Sequence, residues 1–352
     1  MLSEPPFSIL DNFSRVDDAI DANADIADAI LTIGLASFGL PADPSPDDPK
    51  QYWHNTATPS DVNKAHSTIR QFFRDWSSEG GWEREVCYKP VHLALRSEFG
   101  RQNQEGEPIK VLVPGAGLGR LVFEVCRDGF DAEGNEISYH QLLAGNWILN
   151  HAAGPKRHAL YPFALHFSNL HKREQQLRQV MIPDEHPNTT IMGQLSNPDP
   201  ESRFGTMSMS AADFAVSYRS ESNREAFHAV ATVFFIDTAP NLIRYIETIH
   251  NCLKPNGIWI NVGPLLWHFD EGRGGHGEPQ SQPYSGGVAE PGSVELTGEE
   301  VLCLVERMGF ALEKRPHEDG KDALECGYIQ DRESMLQNQY HPVHWIARKK
   351  GK

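Results

Sequence analysis

The segment VLVPGAGLGRLVFEV, residues 111–125, decides the fold of this chain. A short apolar run rich in β-branched side chains, 109–113, predicts a strand. Helical spacing follows from Leu118 to Arg127. Three glycines lie between the strand and the helix: Gly115, Gly117 and Gly119. Glycine at such a turn permits φ > 0 and the close approach of a ligand to the backbone. A strand, a glycine turn and a helix in this order predict the opening unit of a doubly wound α/β sheet.

The same alternation continues along the chain. Apolar runs predict further strands at 230–236, 258–262 and 343–347. Helical spacing predicts helices at 241–253 and 297–308, each followed by turn-forming residues. The predicted fold class is therefore α/β.

The first hundred residues have a different pattern, which predicts helices. Apolar side chains at helical spacing predict one helix over 11–40 and a second helical block over 60–100. Ser60-Asp61 is a candidate N-cap for the second block. The helix predicted over 11–40 could serve folding, dimerisation or both, so homodimer formation stays an open alternative.

These patterns predict two parts in the chain. An N-terminal helical extension, 1–105, packs on a core domain, 106–352. Two stretches interrupt the alternation of the core domain and are predicted insertions. The stretch 155–205 is rich in His, Pro and Arg and carries one helix near 172–179, and the Gly/Pro/Ser-rich stretch 271–292 is predicted to be a mobile loop.

Composition narrows the class of protein. A net charge of −16 over 352 residues argues against nucleic acid as a partner. No apolar run approaches the roughly 20 residues that span a bilayer, and the first ten residues lack the pattern of a secretory signal. We therefore expect no membrane association and a cytosolic or nuclear setting. The five scattered cysteines form no CxxC pair and predict reduced, structural thiols.

An acidic residue, Glu136, indicates which class of ligand the glycine loop binds. It lies 17 positions after Gly119, where the second strand should end. An acid at that point accepts hydrogen bonds from both ribose hydroxyls of an adenosine, in NAD and in S-adenosylmethionine alike. The alternative is a glutamate in a surface turn.

The glycine spacing favours S-adenosylmethionine over NAD. The loop is GxGxG and not GxGxxG. A dinucleotide places its pyrophosphate on the helix N-terminus, whereas S-adenosylmethionine has no phosphate. Asp213-Phe214 precedes a helical segment and could contact the adenine through its carboxylate and ring. For Asp213, an ordinary helix N-cap is an equal alternative.

Several longer blocks resemble the carnosine N-methyltransferase family over about residues 60–350. In order they are RQFFRDWSSEG, VLVPGAGLGRL, GNE, LYPF with FSN, ADF, FFIDTAPNLIRYIETI, LKPNGIWINVGPLLWHF and VELTGEEV. The resemblance implies a class I methyltransferase fold: a Rossmann-like doubly wound sheet with an N-terminal helical extension. It also implies S-adenosylmethionine as the cofactor.

The resemblance further implies which residues bind each ligand. Gln71 and Arg74 of RQFFR, with Gly119, Glu136, Asp213 and Phe214, carry over as cofactor contacts. A guanidinium fork suits the cofactor carboxylate. Without the resemblance, an arginine on a solvated helix face would be the favoured interpretation of Arg74.

Three residues carry over as substrate contacts: Asp237, His268 and Tyr340. Asp237 follows a central strand, at the end where open α/β sheets bind ligands, and a buried Asp needs a partner there. Tyr340 departs from the family pattern in its surroundings, since the family has a run of tyrosines where this chain has QNQYHPVHW.

The predicted activity is methyl transfer to the imidazole of carnosine or a related histidine-containing dipeptide, with Asp237 as the catalytic residue. A first alternative is a methyltransferase for another small imidazole or amine, or for a peptide or protein histidine. A second is an NAD-dependent dehydrogenase, and a third is an inactive cofactor-binding module. The histidines lack metal-ligand spacing with a nearby acid, so no catalytic metal is predicted.

Overall fold

A computed structural model describes residues 2–48, 51–100, 107–196, 204–267, 294–314 and 324–351. The chain divides into two compact units. The helical unit comprises Met1–Arg84, Ser138–Ser196 and Gly327–Asn338. The sheet unit comprises Glu85–Ile137, Asn197–Cys326 and Gln339–Lys352. This division does not follow the predicted boundary at 105, and most of the predicted insertion 155–205 belongs to the helical unit. The predicted insertion at 271–292 lies outside the described residues.

The elements are numbered in chain order. The strands are β1 Lys110–Pro114, β2 Asp131–Glu136, β3 His158–Leu160, β4 Val180–Ile182, β5 Met207–Ala211, β6 Phe227–Val233, β7 Leu253–Gly263, β8 Phe310–Lys314 and β9 Val343–Lys349. The α-helices are α1 Ile9–Phe38, α2 Pro59–Trp76, α3 Gly81–Phe99, α4 Arg120–Arg127, α5 Tyr139–Asn146, α6 Arg173–Gln176, α7 Pro187–Ser196, α8 Phe214–Ser217, α9 Leu242–Cys252 and α10 Gly298–Arg307.

A seven-stranded sheet forms the centre of the sheet unit, in the order β5-β2-β1-β6-β7-β9-β8. The first five strands of this order pair in parallel. Strand β9 is antiparallel to both of its neighbours, β7 and β8. The carboxyl ends of the five parallel strands therefore meet at one edge, and the predicted α/β class is confirmed.

Each face of this sheet has its own hydrophobic core. Val111 and Val113 of β1 pack with apolar residues of α3 and α4. Leu112, between them, points to the other face and packs with α9 and α10. A strand buried on both faces has a continuous apolar sequence, which explains the run in β1.

The helical unit is held together by contacts between distant parts of the chain. The side chain of Asn23 on α1 pairs with the backbone of Tyr161, donating at 3.0 Å and accepting at 2.9 Å. On α2, the ring of Phe72 meets Trp147 edge-on, with 5.4 Å between centroids. Aromatic pairs of this geometry add stability beyond the area that they bury.

Three predicted boundaries are wrong. Thr58, not Ser60-Asp61, caps α2; its hydroxyl accepts from the amide of Asp61, whose carboxylate accepts in return, and Pro59 fits the first turn. Strand β6 ends at Val233 and not at 236, because the next residue has a left-handed backbone. The helix predicted at 172–179 is the single turn α6.

The described residues bear on two further expectations. Every helix among the described residues is either too short or too polar to span a bilayer. All five cysteines are described and none is in a disulfide; four are buried and Cys303 is exposed. Burial of this kind is typical of structural thiols.

Candidate functional site

The glycine loop after β1 has a backbone that other residues rarely adopt. Gly115, Gly117 and Gly119 have φ of 68°, 56° and 78°. A Cβ on Gly115 would also lie 2.5 Å from Cδ2 of Phe235. Conformation and space therefore both require glycine at this position.

Glu136 ends β2 beside this loop. It is 8% exposed, and its carboxylate accepts from the amide of Gly117 at 3.0 Å and from that of Ile137 at 2.9 Å. The interpretation of Glu136 as a surface-turn residue is therefore wrong. The acid that ends β2 is therefore a hydrogen-bond acceptor directly beside the glycine loop.

Asp213 caps the short helix α8. Its Oδ1 accepts from the amide of Val216 at 2.9 Å, which is the N-cap arrangement that the sequence offered as an alternative to adenine contact. The ring of Phe214 is buried and meets the rings of Phe235 and Tyr245 edge-on, at 5.5 Å and 5.4 Å. Contact of Asp213 or Phe214 with adenine stays a prediction.

Two aromatic residues that sequence reasoning missed join these parts of the site. Phe235 and Tyr245 stack at 5.0 Å with 18° between their planes. Burial, and then the charges of Asp213 and Glu136, raise the pKa of Tyr245 to about 12. The two acids, Asp213 and Glu136, therefore lie close to the stacked rings at the carboxyl edge of the sheet. The signal for Tyr245 was its place on the apolar face of a predicted helix, four residues before Ile249.

Asp237 lies at the same edge, in a 3₁₀ turn after β6. It is 2% exposed, and its Oδ2 accepts from the amide of Leu266 at 3.0 Å. Phe234, just before the turn, has a φ of 53° and donates its amide to Val262 at 2.9 Å. Strained backbone of this kind clusters at functional sites, and here it directs the chain out of β6 towards Asp237.

Tyr340 is held ahead of β9 by backbone hydrogen bonds with Cys326, of 2.8 Å and 3.1 Å. Its ring lies edge-on to Phe234, with 5.9 Å between centroids. Phe234 follows the end of β6, three residues before Asp237, so the structure brings Tyr340 to the same end of that strand. His268 lies outside the described residues.

Gln71 and Arg74 lie on the last turns of α2 in the helical unit, and both are buried. Gln71 donates to Asp75 at 3.2 Å. Arg74 is 5% exposed, and its Cζ is 4.7 Å from the ring centroid of Tyr328. The solvated-face interpretation of Arg74 is therefore wrong, while its contact with a cofactor stays a prediction.

The sheet and its carboxyl edge define a class of protein. A glycine loop after β1, an acid ending β2 and a buried Asp after β6 lie at the edge where open α/β sheets bind ligands, and the antiparallel β9 makes the sheet a mixed one. In the part of the chain that the structure describes, no three His, Cys, Asp or Glu side chains are grouped to hold a metal ion. The class is that of α/β proteins with a Rossmann-like sheet.

Comparison with known proteins gives the family. The model of the carnosine N-methyltransferase family matches residues 51–351, and this chain belongs to that family. A Schizosaccharomyces pombe carnosine N-methyltransferase is 36% identical over 99% of this chain and 85% of its own length. The Mus musculus and Drosophila melanogaster proteins of that name are 38% and 37% identical over 83% of this chain, which spans 64% and 56% of them.

Solved structures are similar at lower identity. A SAM-dependent methyltransferase from Methanosarcina mazei is 16% identical, with 72% of this chain and 97% of that one covered and a TM-score of 0.39. Family membership makes the chain a methyltransferase. The dehydrogenase alternative is thereby dropped.

Proposed function

We propose that this chain transfers the methyl group of S-adenosylmethionine to an imidazole nitrogen of carnosine or a related histidine-containing dipeptide. The observation that carries the proposal is Asp237, a buried carboxylate at the carboxyl end of the central strand β6. Family membership supports the reaction class. The relatives' shared name supports carnosine as the first substrate to test.

The residues present fit S-adenosylmethionine. Bound there, the cofactor supplies an electrophilic methyl group on a sulfonium. The glycine loop has the left-handed backbone that lets a ligand approach closely, and Glu136 ends β2 where an acid accepts from the ribose hydroxyls of an adenosine. By resemblance, Arg74 binds the carboxylate, Gln71 also contacts the cofactor, and Asp213-Phe214 contacts the adenine.

Asp237 orients the substrate. An imidazole has an unperturbed pKa near 6.5, so at neutral pH one ring nitrogen carries a lone pair and needs no strong base. Asp237 accepts a hydrogen bond from the other ring N–H or from the dipeptide amine, which fixes which nitrogen attacks, as a carboxylate fixes a histidine tautomer. S-adenosylmethionine, held by the residues named above, would supply its methyl group to the ring nitrogen that carries the lone pair, and the N–H proton of the methylated ring would pass to water. His268 and Tyr340 bind the remaining polar groups.

The test uses methyl-labelled S-adenosylmethionine with purified protein. Carnosine is compared with free histidine, imidazole, other small amines and a histidine-containing peptide, and the labelled product is located on the ring by NMR. Preference for the dipeptide supports the proposal. Transfer to a peptide or protein histidine at a higher kcat/KM would overturn the substrate assignment and keep the methyltransferase. Homodimerisation and a cytosolic or nuclear setting stay predictions.

A further inference from the structure

Two buried cysteines lie against each other in the sheet unit. The sulfur atoms of Cys87 and Cys326 are 3.5 Å apart, and each residue is 1% exposed. The two cysteines are 239 positions apart along the chain, so the fold and not the local sequence brings them together. Because a disulfide bond has a sulfur–sulfur distance of about 2.0 Å, a shift of about 1.5 Å would close the bond.

The backbones that carry the two sulfurs are held differently. Cys87 lies in the second turn of the long helix α3. Cys326 lies outside the named strands, in an isolated antiparallel bridge with Tyr340. A residue inside a helix is held by the hydrogen bonds of the turns on either side, whereas an isolated bridge lacks the neighbouring pairs of a strand ladder. Closing the sulfur–sulfur bond should therefore move Cys326 more than Cys87.

Movement of Cys326 reaches the candidate site through Tyr340. The amide of Tyr340 donates to the carbonyl of Cys326 at 2.8 Å, and the amide of Cys326 donates in return at 3.1 Å. The ring of Tyr340 lies edge-on to Phe234, three residues before Asp237. A disulfide would therefore displace the tyrosine that the family resemblance assigns to the substrate, and a displaced contact residue no longer meets the groups for which it was positioned.

A surface groove gives a small oxidant a route towards the pair. The groove has a volume of about 630 Å³ and is lined by residues of α3, of β9 and of the segment just before Cys326. Val86 and Glu325, the residues directly before the two cysteines, are both part of its wall. The groove therefore reaches the chain next to each cysteine, and burial of the sulfurs limits the oxidant to a small molecule such as hydrogen peroxide.

We propose that Cys87 and Cys326 are a reversible redox pair, whose disulfide displaces Tyr340 and weakens binding of the methyl-accepting substrate. One sulfur attacks hydrogen peroxide, the O–O bond breaks, and the products are a sulfenic acid and a water that carries the thiol proton. The second sulfur attacks the sulfenic sulfur, the S–S bond forms, and a second water leaves. A dithiol reductant reverses the bond by thiol–disulfide exchange. The effect on the substrate rests on the proposed function, whereas formation of the disulfide does not.

The experiment oxidises the full chain with hydrogen peroxide and then removes the peroxide with catalase. Digestion without reductant, followed by mass spectrometry, shows whether the peptides of Cys87 and Cys326 are joined. Cys87→Ser and Cys326→Ser each remove one partner, and the alanine variants replace them if thermal melting shows that a serine variant does not fold. Cys126→Ser is the matched control, because Cys126 is also buried but donates to the carbonyl of Thr206 at 3.1 Å.

We expect peroxide to join the two peptides and to raise the KM for carnosine about 3- to 10-fold, the change that the loss of one hydrogen bond supports. Dithiothreitol should restore the KM of the reduced chain. Peroxide should leave the KM of Cys87→Ser and of Cys326→Ser unchanged, whereas Cys126→Ser should respond like the parent. Absence of the disulfide overturns the proposal. So does a disulfide that leaves KM unchanged, or a rise in KM that persists in Cys87→Ser.

Hydrogen exchange separates this inference from the proposed function. If the reduced chain does not methylate carnosine, the substrate assignment fails, but oxidation should still change the exchange of the Tyr340 amide, which donates to Cys326. Faster exchange of the peptide that contains Tyr340 in the oxidised parent, and not in peroxide-treated Cys326→Ser, supports the displacement. Equal exchange in the oxidised and reduced parent overturns it.

Discussion

The carboxylate of Glu136 accepts a hydrogen bond from the amide of Gly117 at 3.0 Å. The acid that ends β2 and the glycine loop that follows β1 are therefore joined directly, across a pair of parallel strands. Sequence spacing places the two residues near each other but does not reveal this bond. Because of it, a change at Glu136 alters both the ribose acceptor and the shape of the loop.

Two replacements of Glu136 should weaken cofactor binding to different extents. Glu136→Gln keeps an oxygen for the Gly117 amide but loses the charge, and we expect about a 10-fold higher Kd for S-adenosylhomocysteine. Glu136→Ala removes both the ribose acceptor and the hydrogen bond to the loop. It should raise the Kd about 100-fold, since hydrogen bonds to charged groups contribute about 1.5–3 kcal/mol. Calorimetry measures both values.

Glu133 on the same strand provides the control. Glu133 lies three residues before the carboxyl end of β2 and accepts from the hydroxyl of Tyr218. Glu133→Gln should leave the Kd of S-adenosylhomocysteine within about 2-fold, because only a residue at the strand end contacts the ligand. An equal loss in Glu133→Gln and Glu136→Gln would contradict the assignment.

Removing the charge of Asp237 should greatly reduce turnover and leave cofactor binding nearly unchanged. Asp237→Asn keeps an oxygen that can accept from the amide of Leu266, so the fold is retained. We expect kcat/KM for carnosine to fall at least about 100-fold, as for the loss of an orienting group, with the Kd of S-adenosylhomocysteine changed only a few-fold.

Asp128→Asn is the matched control for Asp237. The side chain of Asp128 is also buried, but it follows α4 and pairs with His92 and Arg96. Steady-state kinetics should show near-normal kcat/KM in Asp128→Asn at a temperature where it is folded. Normal turnover in Asp237→Asn would remove Asp237 from the mechanism.

Adding a methyl group to Gly115 should cost more than adding one to Gly39. Both glycines have left-handed backbones, with φ of 68° and 65°, but a Cβ on Gly39 meets nothing within 4 Å. Gly39→Ala should therefore lower the free energy of unfolding by about 1–2 kcal/mol from the backbone alone. Gly115→Ala should lose about 1–3 kcal/mol more, from overlap with the ring of Phe235. Chemical denaturation of both variants tests this, and equal losses would disprove the steric argument.

His92 should make stability depend on pH in the alkaline range. Burial lowers the pKa of His92, but hydrogen bonds of 2.6 Å and 3.1 Å to Asp128 and Glu124 outweigh burial and raise it to about 9. The folded pKa lies above the unfolded value near 6.5. The stabilisation is therefore complete below about pH 6.5 and is lost as the pH rises through about 9. It amounts to about 3 kcal/mol, from the rise of the pKa from 6.5 to about 9 at about 1.36 kcal/mol per pKa unit.

Urea denaturation at pH 6.5 and 9.5 measures this loss. The neutral side chain of His92→Gln lacks the pH-dependent stabilisation at every pH. The difference in unfolding free energy between the parent and the variant should therefore shrink towards pH 9.5. His66→Gln, at an exposed position, should differ from the parent by the same amount at both pH values. A parent–variant difference that does not change with pH for His92→Gln would rule out the charged pair.

Local patterns were sufficient to place the glycine loop and the two acids at the carboxyl edge of the sheet, although β6 ends at Val233 and not at 236. Gly115, Glu136 and Asp237 were each placed by a strand followed by a turn, and parallel pairing then brings the ends of neighbouring strands to one edge. The Thr58 cap was missed because Ser60 and Asp61 offer the same chemistry two and three residues later, and only Pro59 marks the true start.

Packing between distant segments was not predictable. The stack of Phe235 on Tyr245 depends on how α9 packs against the loop after β6. The pair of Arg74 with Tyr328 depends on a return of the chain 254 residues later. Neither leaves a periodic signal, since each side chain also satisfies the pattern of its own element.

The helical unit is assembled from Met1–Arg84, Ser138–Ser196 and Gly327–Asn338. During synthesis on the ribosome, its first piece emerges long before the buried carboxylate of Glu83 can accept from the amides of Ile329 and Gln330, each at 2.9 Å. Contacts of such high sequence separation form late and slow folding. We therefore expect nascent chains that stop short of residue 330 to bind chaperones and be degraded, even when every strand of the central sheet except β9 has already been translated.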